Sequence, residues 1–406
     1  MAEPTPQFAC LHAGPRGRQY GIPAALARAG MLQRFYTDFC VPHALGARLG
    51  LAVPQRYRPE RLQNFFSRVL PPDVPWPRVR SFAAHRLVGG KGDQALSAFL
   101  RQQVLRDNFA GASGLYTTIN GDLELAREAK ARGLVVVHDQ VLNPDVGHIL
   151  RQERERFAGI EAQDPLDEVE AGIARDRAMW RLADRVLAPS PFARDAIINL
   201  GGEAEKTLLV PYGISPTWLA ERPVPRRGRI LFVGSVGLRK GIHYLAAATR
   251  LLRQRGVMCE VRVVGPYTPG VIARPEFQGP TYVGRVPRSR VRHEYLAADV
   301  FVHPSLSEGS AIAHLEAMAC GLPVVATPNA GAVTWDGVDG FVVPPRDAEA
   351  LAARLQELVA NRALRRRMGQ AAWERAHNFV WPAYARRLRY ALDKLRPHQG
   401  GRAACT

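Results

Sequence analysis

The amino-acid sequence predicts two doubly wound α/β domains, each built on a parallel Rossmann-like sheet, facing one another across a cleft. Three observations carry this reading. Short β-branched runs alternate with longer helical patterns, the rhythm of parallel strands joined by crossover helices. Two such series of similar size follow one another along the chain. Between them lies GISPTWLAERPVPRRGR, Gly213 to Arg229, whose Pro and Arg content reads as an interdomain linker. A chain of 406 residues has room for two domains that each bury a core. The first domain takes residues 1–212 and a returning C-terminal helix of about 382–406; the second takes 213–381.

In the first half the strand candidates are FACLHA, RFYTDF, LYTT, LVVVHD, RVLAPS and TLLVPY. Amphipathic helices are expected over Ile22 to Gly30 and Leu123 to Gly133, the latter stopping at a glycine. Leu45 to Gly92, rich in Pro and Arg, reads as irregular structure or an insertion, and the charged stretch Ile149 to Ala183 as helical, a long surface element. The second half offers RILFVG, EVRVVG, TYVG, DVFVHPS, PVVAT and GFVVP as strands. Ala350 to Leu395 is helical, with a break at Asn378-Phe379-Val380-Trp381-Pro382.

Composition narrows the function classes. No apolar run approaches the roughly 18 residues that span a bilayer, and MAEPTPQFAC lacks the features of a signal peptide. The five cysteines are scattered without a C-x-x-C, which argues against a disulfide framework or zinc site and points to the cytoplasm. The net charge is +18, yet only five of the 55 basic residues are lysines, a bias that a GC-rich genome also produces. No nucleic-acid recognition module accompanies the charge, so a nucleic-acid partner is not expected. The most basic stretch, Arg56 to Arg86, interleaves Phe65, Phe66, Trp76 and Phe82. It fits two readings, a surface resting on anionic headgroups at the inner face of the plasma membrane, or a solvated loop region.

Two segments hold the chemistry. In SEGSAIAHLEAMACG, small and apolar residues surround Glu308 and Glu316. A helix is expected from about Ser310, with Ser310 as N-cap, to Cys320-Gly321. Glu308 then lies in the loop at the carboxyl end of a parallel strand, where open α/β sheets bind ligands. The free N–H groups after Gly309, through Ser310, Ala311 and Ile312, suit a phosphate. Eight residues at about 100° each bring Glu316 within roughly 80° of the azimuth of Glu308, so both acids can address one ligand. Read alone, Glu316 also fits an ion pair on a helix face. The second segment, FVGSVGLRKGI, is a glycine-rich turn after a strand, and Gly234, Ser235, Arg239 and Lys240 form a candidate diphosphate site.

Taken together, these segments resemble the retaining family 4 glycosyltransferases of the GT-B fold. The resemblance rests on Glu308-x7-Glu316 followed by EAMACGLPVVAT, on VGSVGLRKGI, on YVGRV and DGVDGFVVPPRD, and more thinly on ADRVLAPSPFARD and VPYGI. It implies a metal-independent enzyme with no bound cofactor that moves a sugar from a nucleoside diphosphate donor to an acceptor, a cell-envelope, exopolysaccharide or lipid-linked glycan. Glu316 would hold the ribose hydroxyls and Glu308 hydroxyls of the transferred sugar. Lys240, with Arg239, would neutralise the leaving diphosphate. Backbone around Arg285 and Val286 would meet the base, and the loop Gly14-Pro15-Arg16-Gly17 would approach the phosphates. His138, in VVVHDQ, matches a histidine that sits over the donor sugar; read alone, it also fits an ordinary buried histidine. Ser235 stands where the family often carries Arg. Other functions fit the same fold, namely a non-catalytic nucleotide-sugar binder, an epimerase or a phosphorylase.

Overall fold

The computed structural model describes residues 5–11, 20–52, 65–66, 68–82, 93–118, 122–221, 223–331 and 333–396. Among these, seven strands form one parallel sheet: β1 (Phe8–Leu11), β2 (Leu32–Thr37), β3 (Val79–Ser81), β4 (Gly114–Thr117), β5 (Val135–Asp139), β6 (Arg185–Ala188) and β7 (Thr207–Leu209). Their spatial order is β3-β2-β1-β4-β5-β6-β7. Six more make a second parallel sheet: β8 (Arg229–Val233), β9 (Glu260–Val264), β10 (Thr281–Gly284), β11 (Val300–His303), β12 (Val324–Ala326) and β13 (Gly340–Val342). Here the order is β10-β9-β8-β11-β12-β13. Both sheets start at the centre, run to one edge and return to fill the other. The order therefore reverses between β1 and β4 and between β8 and β11, which opens a crevice at the carboxyl ends of those strands.

The strands form where unbroken β-branched runs meet two covered faces. Val135, Val136 and Val137 of β5 and Val300, Phe301 and Val302 of β11 are fully buried. All twelve strand candidates appear, and β3 is an addition. The region from Leu45 to Gly92, read as irregular structure or an insertion, includes regular elements among its described residues. It contains most of the helix His43–Ala52, a 3-10 turn at Trp76–Arg78, and β3. A three-residue edge strand is too short to show a period, and much of its support comes from neighbours. Phe35, Tyr36 and Thr37 pair with it, and Arg34 Nη1 donates to Pro77 O at 2.8 Å.

The C-terminal helix Trp381–Leu392 returns to the first sheet, with Tyr384, Leu388 and Leu392 in the same core as Phe8, Leu26 and Phe35. Gly21 lies under it, and the Trp381 ring fills the place of a Cβ there. The outgoing and returning crossings are paired: Ile214 N donates to Phe379 O at 2.8 Å and Trp381 N to Ile214 O at 2.9 Å. No helix among the described residues is long and apolar enough to cross a membrane. Of the basic stretch Arg56 to Arg86, residues 65–66 and 68–82 are described, and Phe65, Phe66 and Phe82 there are half-buried. Within it, Arg68 pairs with Asp38 at 2.9 Å and Trp76 is half exposed.

The stretch expected as a long helical surface element, Ile149 to Ala183, is helical in two pieces, Val146–Arg156 and Leu166–Leu182, and part of it is buried. The chain breaks between them because Phe157 and Ile160 turn into the other domain. Ile160 is buried in the core of the second sheet with Ile230, Leu238 and Phe277, and the Phe157 ring lies 4.5 Å from that of His243. Glu153, one turn before the break, is fully buried. Its carboxylate accepts from His243 Nε2 at 2.9 Å, Tyr244 OH at 2.7 Å and Arg346 Nε at 2.7 Å, three groups of the second domain. Arg346 adopts a left-handed backbone (φ 66), uncommon outside glycine, to present that guanidinium.

Burial alone would raise the Glu153 pKa, but the bonds from His243, Arg346 and Tyr244 more than offset it and hold it at about 2. Its folded value lies below the unfolded 4.5, so the ionised carboxylate stabilises the fold fully above that pH and progressively less as pH falls towards 2. Glu153→Gln should therefore flatten the loss of stability across this acid window, measured by denaturant unfolding at successive pH values. Glu153→Ala should cost about 3–5 kcal/mol at neutral pH, because the basic partners stay buried without their acid. A wild-type acid profile in Glu153→Gln would contradict this account.

Candidate functional site at the crevice of the second sheet

The loops that follow β8 and β11 flank the point where the second sheet reverses order. After β8 the chain passes Gly234 and the exposed Ser235 into a 3-10 turn, Leu238–Lys240, closed by Gly241. Gly241 sits at φ 67, and a Cβ there would meet Pro304 O at 2.0 Å, so only glycine lets the two loops approach. Leu306 N donates to Arg239 O at 2.8 Å and ties them together. Across this seam Lys240 Nζ and Arg239 Nη1 both reach Glu308 Oε1, each at 2.5 Å, and Arg239 Nη1 also donates to Ser307 O at 3.0 Å. Burial lowers the Lys240 ammonium below its usual range; Glu308 opposes that and Arg239 adds to it. Two cations share one carboxylate, which leaves a net positive charge in a low-dielectric crevice. That is a site for an anion with more charge than a single carboxylate.

Glu308 and Glu316 do not share a helix face. The helix is Ile312–Ala319 with Ala311 as N-cap, so neither the expected start nor the Ser310 cap holds. Ala311 N donates instead to Ala330 O at 3.2 Å, which keeps Gly309 and Ser310 in the extended loop before the helix. The C-terminal end at Cys320-Gly321 is as the sequence suggests, with Gly321 at φ 75. The helix N-terminus still faces the crevice, with the first-turn N–H groups of Ile312 and Ala313 beyond the reach of intrahelical acceptors.

Glu316 is buried, and its carboxylate is engaged by Arg288 on Oε1 and by Tyr295 OH on Oε2 at 3.1 Å. Burial raises the Glu316 pKa, and Arg288 and Tyr295 bring back only part of that shift. Glu316 does form an ion pair, but with its own carboxylate buried and its partner Arg288 half exposed at the protein surface. Each carboxylate oxygen carries two lone pairs, so both can still accept from a ligand. Sequence reasoning missed Arg288 and Tyr295. Their signal was a spacing of seven within the helix Arg288–Leu296, two turns that put both on one face. Arg285 is exposed just after β10, and Val286 is half-buried beside the same core as Tyr295.

His138 ends on the first-domain side of the cleft, almost fully buried at the carboxyl end of β5. Trp180 Nε1 donates to Gln140 Oε1 at 2.9 Å, which turns that oxygen towards His138 Nε2 at 3.2 Å. The imidazole proton is thereby held on Nε2, and Nδ1 accepts from Thr117 Oγ1 at 2.9 Å. Burial pushes the ring pKa down to about 4, so the histidine is neutral. It lines a cavity of about 1000 Å³ together with Arg101, Asp122, Gln140, Asn143 and Asp176. Arg101 Nη1 pairs with Asp122 at 3.0 Å and Glu124 at 2.7 Å, and burial raises Asp176 to about 6. Three residues on from His138, the Val141 carbonyl abuts Gly309, so the two sides of the site meet there. Gly14 and Gly17 lie outside the described residues.

Residues 227–361 match the profile of the family described as glycosyl transferases group 1. A putative colanic acid biosynthesis glycosyltransferase, WcaL of Salmonella typhimurium, is 33% identical over 196 residues, 44% of this chain and 48% of that protein. The chain thus spans about half the length of the first curated relatives it matches. A D-inositol 3-phosphate glycosyltransferase of Kribbella flavida is 28% identical over 339 residues, 76% of this chain and 78% of the relative. Among solved structures, Anabaena Alr3699/HepE in complex with UDP and glucose superposes with a TM-score of 0.63 at 16% identity, covering 96% of this chain and all of that one. The fold is GT-B.

A Cβ on Gly309 would lie 1.9 Å from Val141 O, a backbone atom of the opposite domain. Gly309→Ala should therefore part the domains at this point and cost about 1–3 kcal/mol, as overpacking does. Thermal unfolding measures the cost and small-angle scattering the separation. A wild-type scattering profile would show that the contact does not set the domain spacing.

Proposed function

With residues 227–361 a glycosyl transferases group 1 domain, we propose that this chain transfers a sugar from a nucleoside diphosphate donor to a glycan or lipid-linked acceptor, without a metal and with retention at the anomeric carbon. The observation that carries this reading is the convergence of Lys240 and Arg239 on Glu308 in the crevice of the second sheet. In the free protein the Glu308 carboxylate offsets only one of the two positive charges. A bound diphosphate takes that place with more charge, and the Glu308 oxygens turn to the hydroxyls of the sugar.

The bond that breaks joins the anomeric carbon to the terminal phosphate oxygen, and its electron pair leaves with the diphosphate. Lys240, Arg239 and the N–H groups at the start of Ile312–Ala319 stabilise the charge that develops, which is the principal catalytic term. The acceptor hydroxyl attacks from the face the phosphate leaves, and its proton passes to the departing phosphate oxygen. Glu316, fixed by Arg288 and Tyr295, offers its remaining lone pairs to the ribose hydroxyls. The ring of His138 is neutral and takes no proton from the acceptor. The first-domain cavity that it lines is the place for the acceptor. Two likenesses support the class of substrates: the Anabaena neighbour holds UDP and glucose, and WcaL is named for colanic acid biosynthesis.

Donor identity is read by thermal unfolding with UDP-, GDP- and ADP-sugars, because a ligand of the folded state raises the melting temperature. One class should do so, and nucleoside diphosphate should be released on adding acceptor. Lys240→Ala and Glu308→Ala should each lower turnover by roughly 10²–10³-fold, the range for removal of one transition-state contact. Turnover should persist in excess chelator, and the product should keep the anomeric configuration. Binding without release would make the chain a nucleotide-sugar binder rather than an enzyme.

A further inference from the structure

We propose that Glu161, contributed by the first domain, is a positioning residue for the Arg239–Lys240 turn of the second; this rests on the glycosyl-transfer reading above. The segment between the helices Val146–Arg156 and Leu166–Leu182 leaves its own domain and lies as a strap along the other. Ile160 anchors it in the second core, and the guanidinium of Arg274 donates to Gly159 O. The next residue, Glu161, directs its carboxylate at the turn: Oε1 accepts from Leu238 N at 2.8 Å. Leu238 is the first residue of the turn that carries Arg239 and Lys240.

The local chain is built to admit this acid. Gly237 has an extended backbone (φ 169) that any residue adopts, so its missing side chain is not a conformational need. A Cβ there would lie 2.8 Å from Glu161 Oε1 and near no other group, so glycine leaves room for the carboxylate. The other oxygen of Glu161 faces Arg154 Nε at 3.5 Å, while Arg154 Nη1 pairs with Asp164 at 2.6 Å. Both ends of the turn are thereby held. Glu161 fixes the Leu238 amide, the Leu238 side chain is buried in the core, and Leu306 N holds Arg239 O.

The consequence is a link between domain apposition and charge placement. Leu238 N–H keeps its charged acceptor only while the strap is seated, and the two cations hang from the residues that follow. With the strap unseated the turn loosens and Arg239 and Lys240 lose their shared focus. The leaving-group site is then complete only when the two domains are together, which disfavours charge stabilisation in an open, water-filled cleft. Glu153 holds the same strap from its other end.

The test compares wild type with Glu161→Ala, Glu161→Gln and Gly237→Ala. Backbone amide exchange over residues 236–241 in the free protein is read first, because it needs no ligand. Glu161→Ala and Gly237→Ala should speed it about tenfold, the scale of one charged hydrogen bond. Glu161→Gln, whose amide oxygen still accepts from Leu238 N–H, should restore much of the protection. UDP affinity, or that of whichever diphosphate binds wild type, should fall in parallel, and kcat should fall more than acceptor KM rises. Unchanged exchange in both Glu161→Ala and Gly237→Ala would overturn the proposal. Equal effects of Glu161→Ala and Glu161→Gln would also overturn it, because the Arg154 ion pair would then be the cause. Tighter UDP binding by Glu161→Ala would overturn it too, with the carboxylate acting as a competing anion. If wild type binds no nucleoside diphosphate, the transfer reading fails, while the exchange comparison still decides the role of Glu161.

Discussion

One unbalanced charge cluster organises this molecule: Lys240 and Arg239 meeting a single carboxylate oxygen of Glu308. Two cations this close repel, and partial burial strengthens the repulsion, so the arrangement holds only with an acid between them. The fold supplies that geometry cheaply. β8 and β11 are neighbours in space but far apart in sequence, and their loops meet where the strand order reverses. Glycine at 241 then lets the backbones come close enough for side chains from both loops to share one point.

Glu316 shows the opposite solution to the same electrostatic problem. There one acid is satisfied by one cation and one phenol, with no charge in excess. The residue is fixed rather than poised, as suits a group that orients the sugar of a nucleoside while bonds break elsewhere. The two glutamates sit eight residues apart, yet one is placed by a loop and the other by a helix. Their separation follows from the transition between loop and helix at Ala311 rather than from a helical azimuth.

The link between domains follows a similar logic. A buried carboxylate such as Glu153 costs free energy unless every oxygen is bonded, and all its partners lie across the interface. Domain contact and acid satisfaction are therefore one condition. The apolar residues Phe157 and Ile160 extend the same contact into the second core, so the strap belongs energetically to the domain it does not come from.

Much of the fold was legible in the sequence, because strands covered on both faces, such as β5 and β11, need unbroken apolar runs, and all twelve strand candidates became strands. β3 was not legible, since three residues carry no period and their pairing comes from β2. At the site, the glutamate pair, Arg239 and Lys240 were visible as motifs, because charged residues among glycines and small apolar residues stand out locally. Arg288 and Tyr295 were hidden, since nothing in their own segment says that Glu316 lies beneath them. Glu161 and Glu153 were hidden more deeply: in sequence they are ordinary acids on a charged helical stretch. The sequence by itself determined the parallel layers, the crevice loops and the charged groups in them. Only the tertiary structure decided which acid meets which base, because long-range partners are chosen by where the chain packs, and no local period records that.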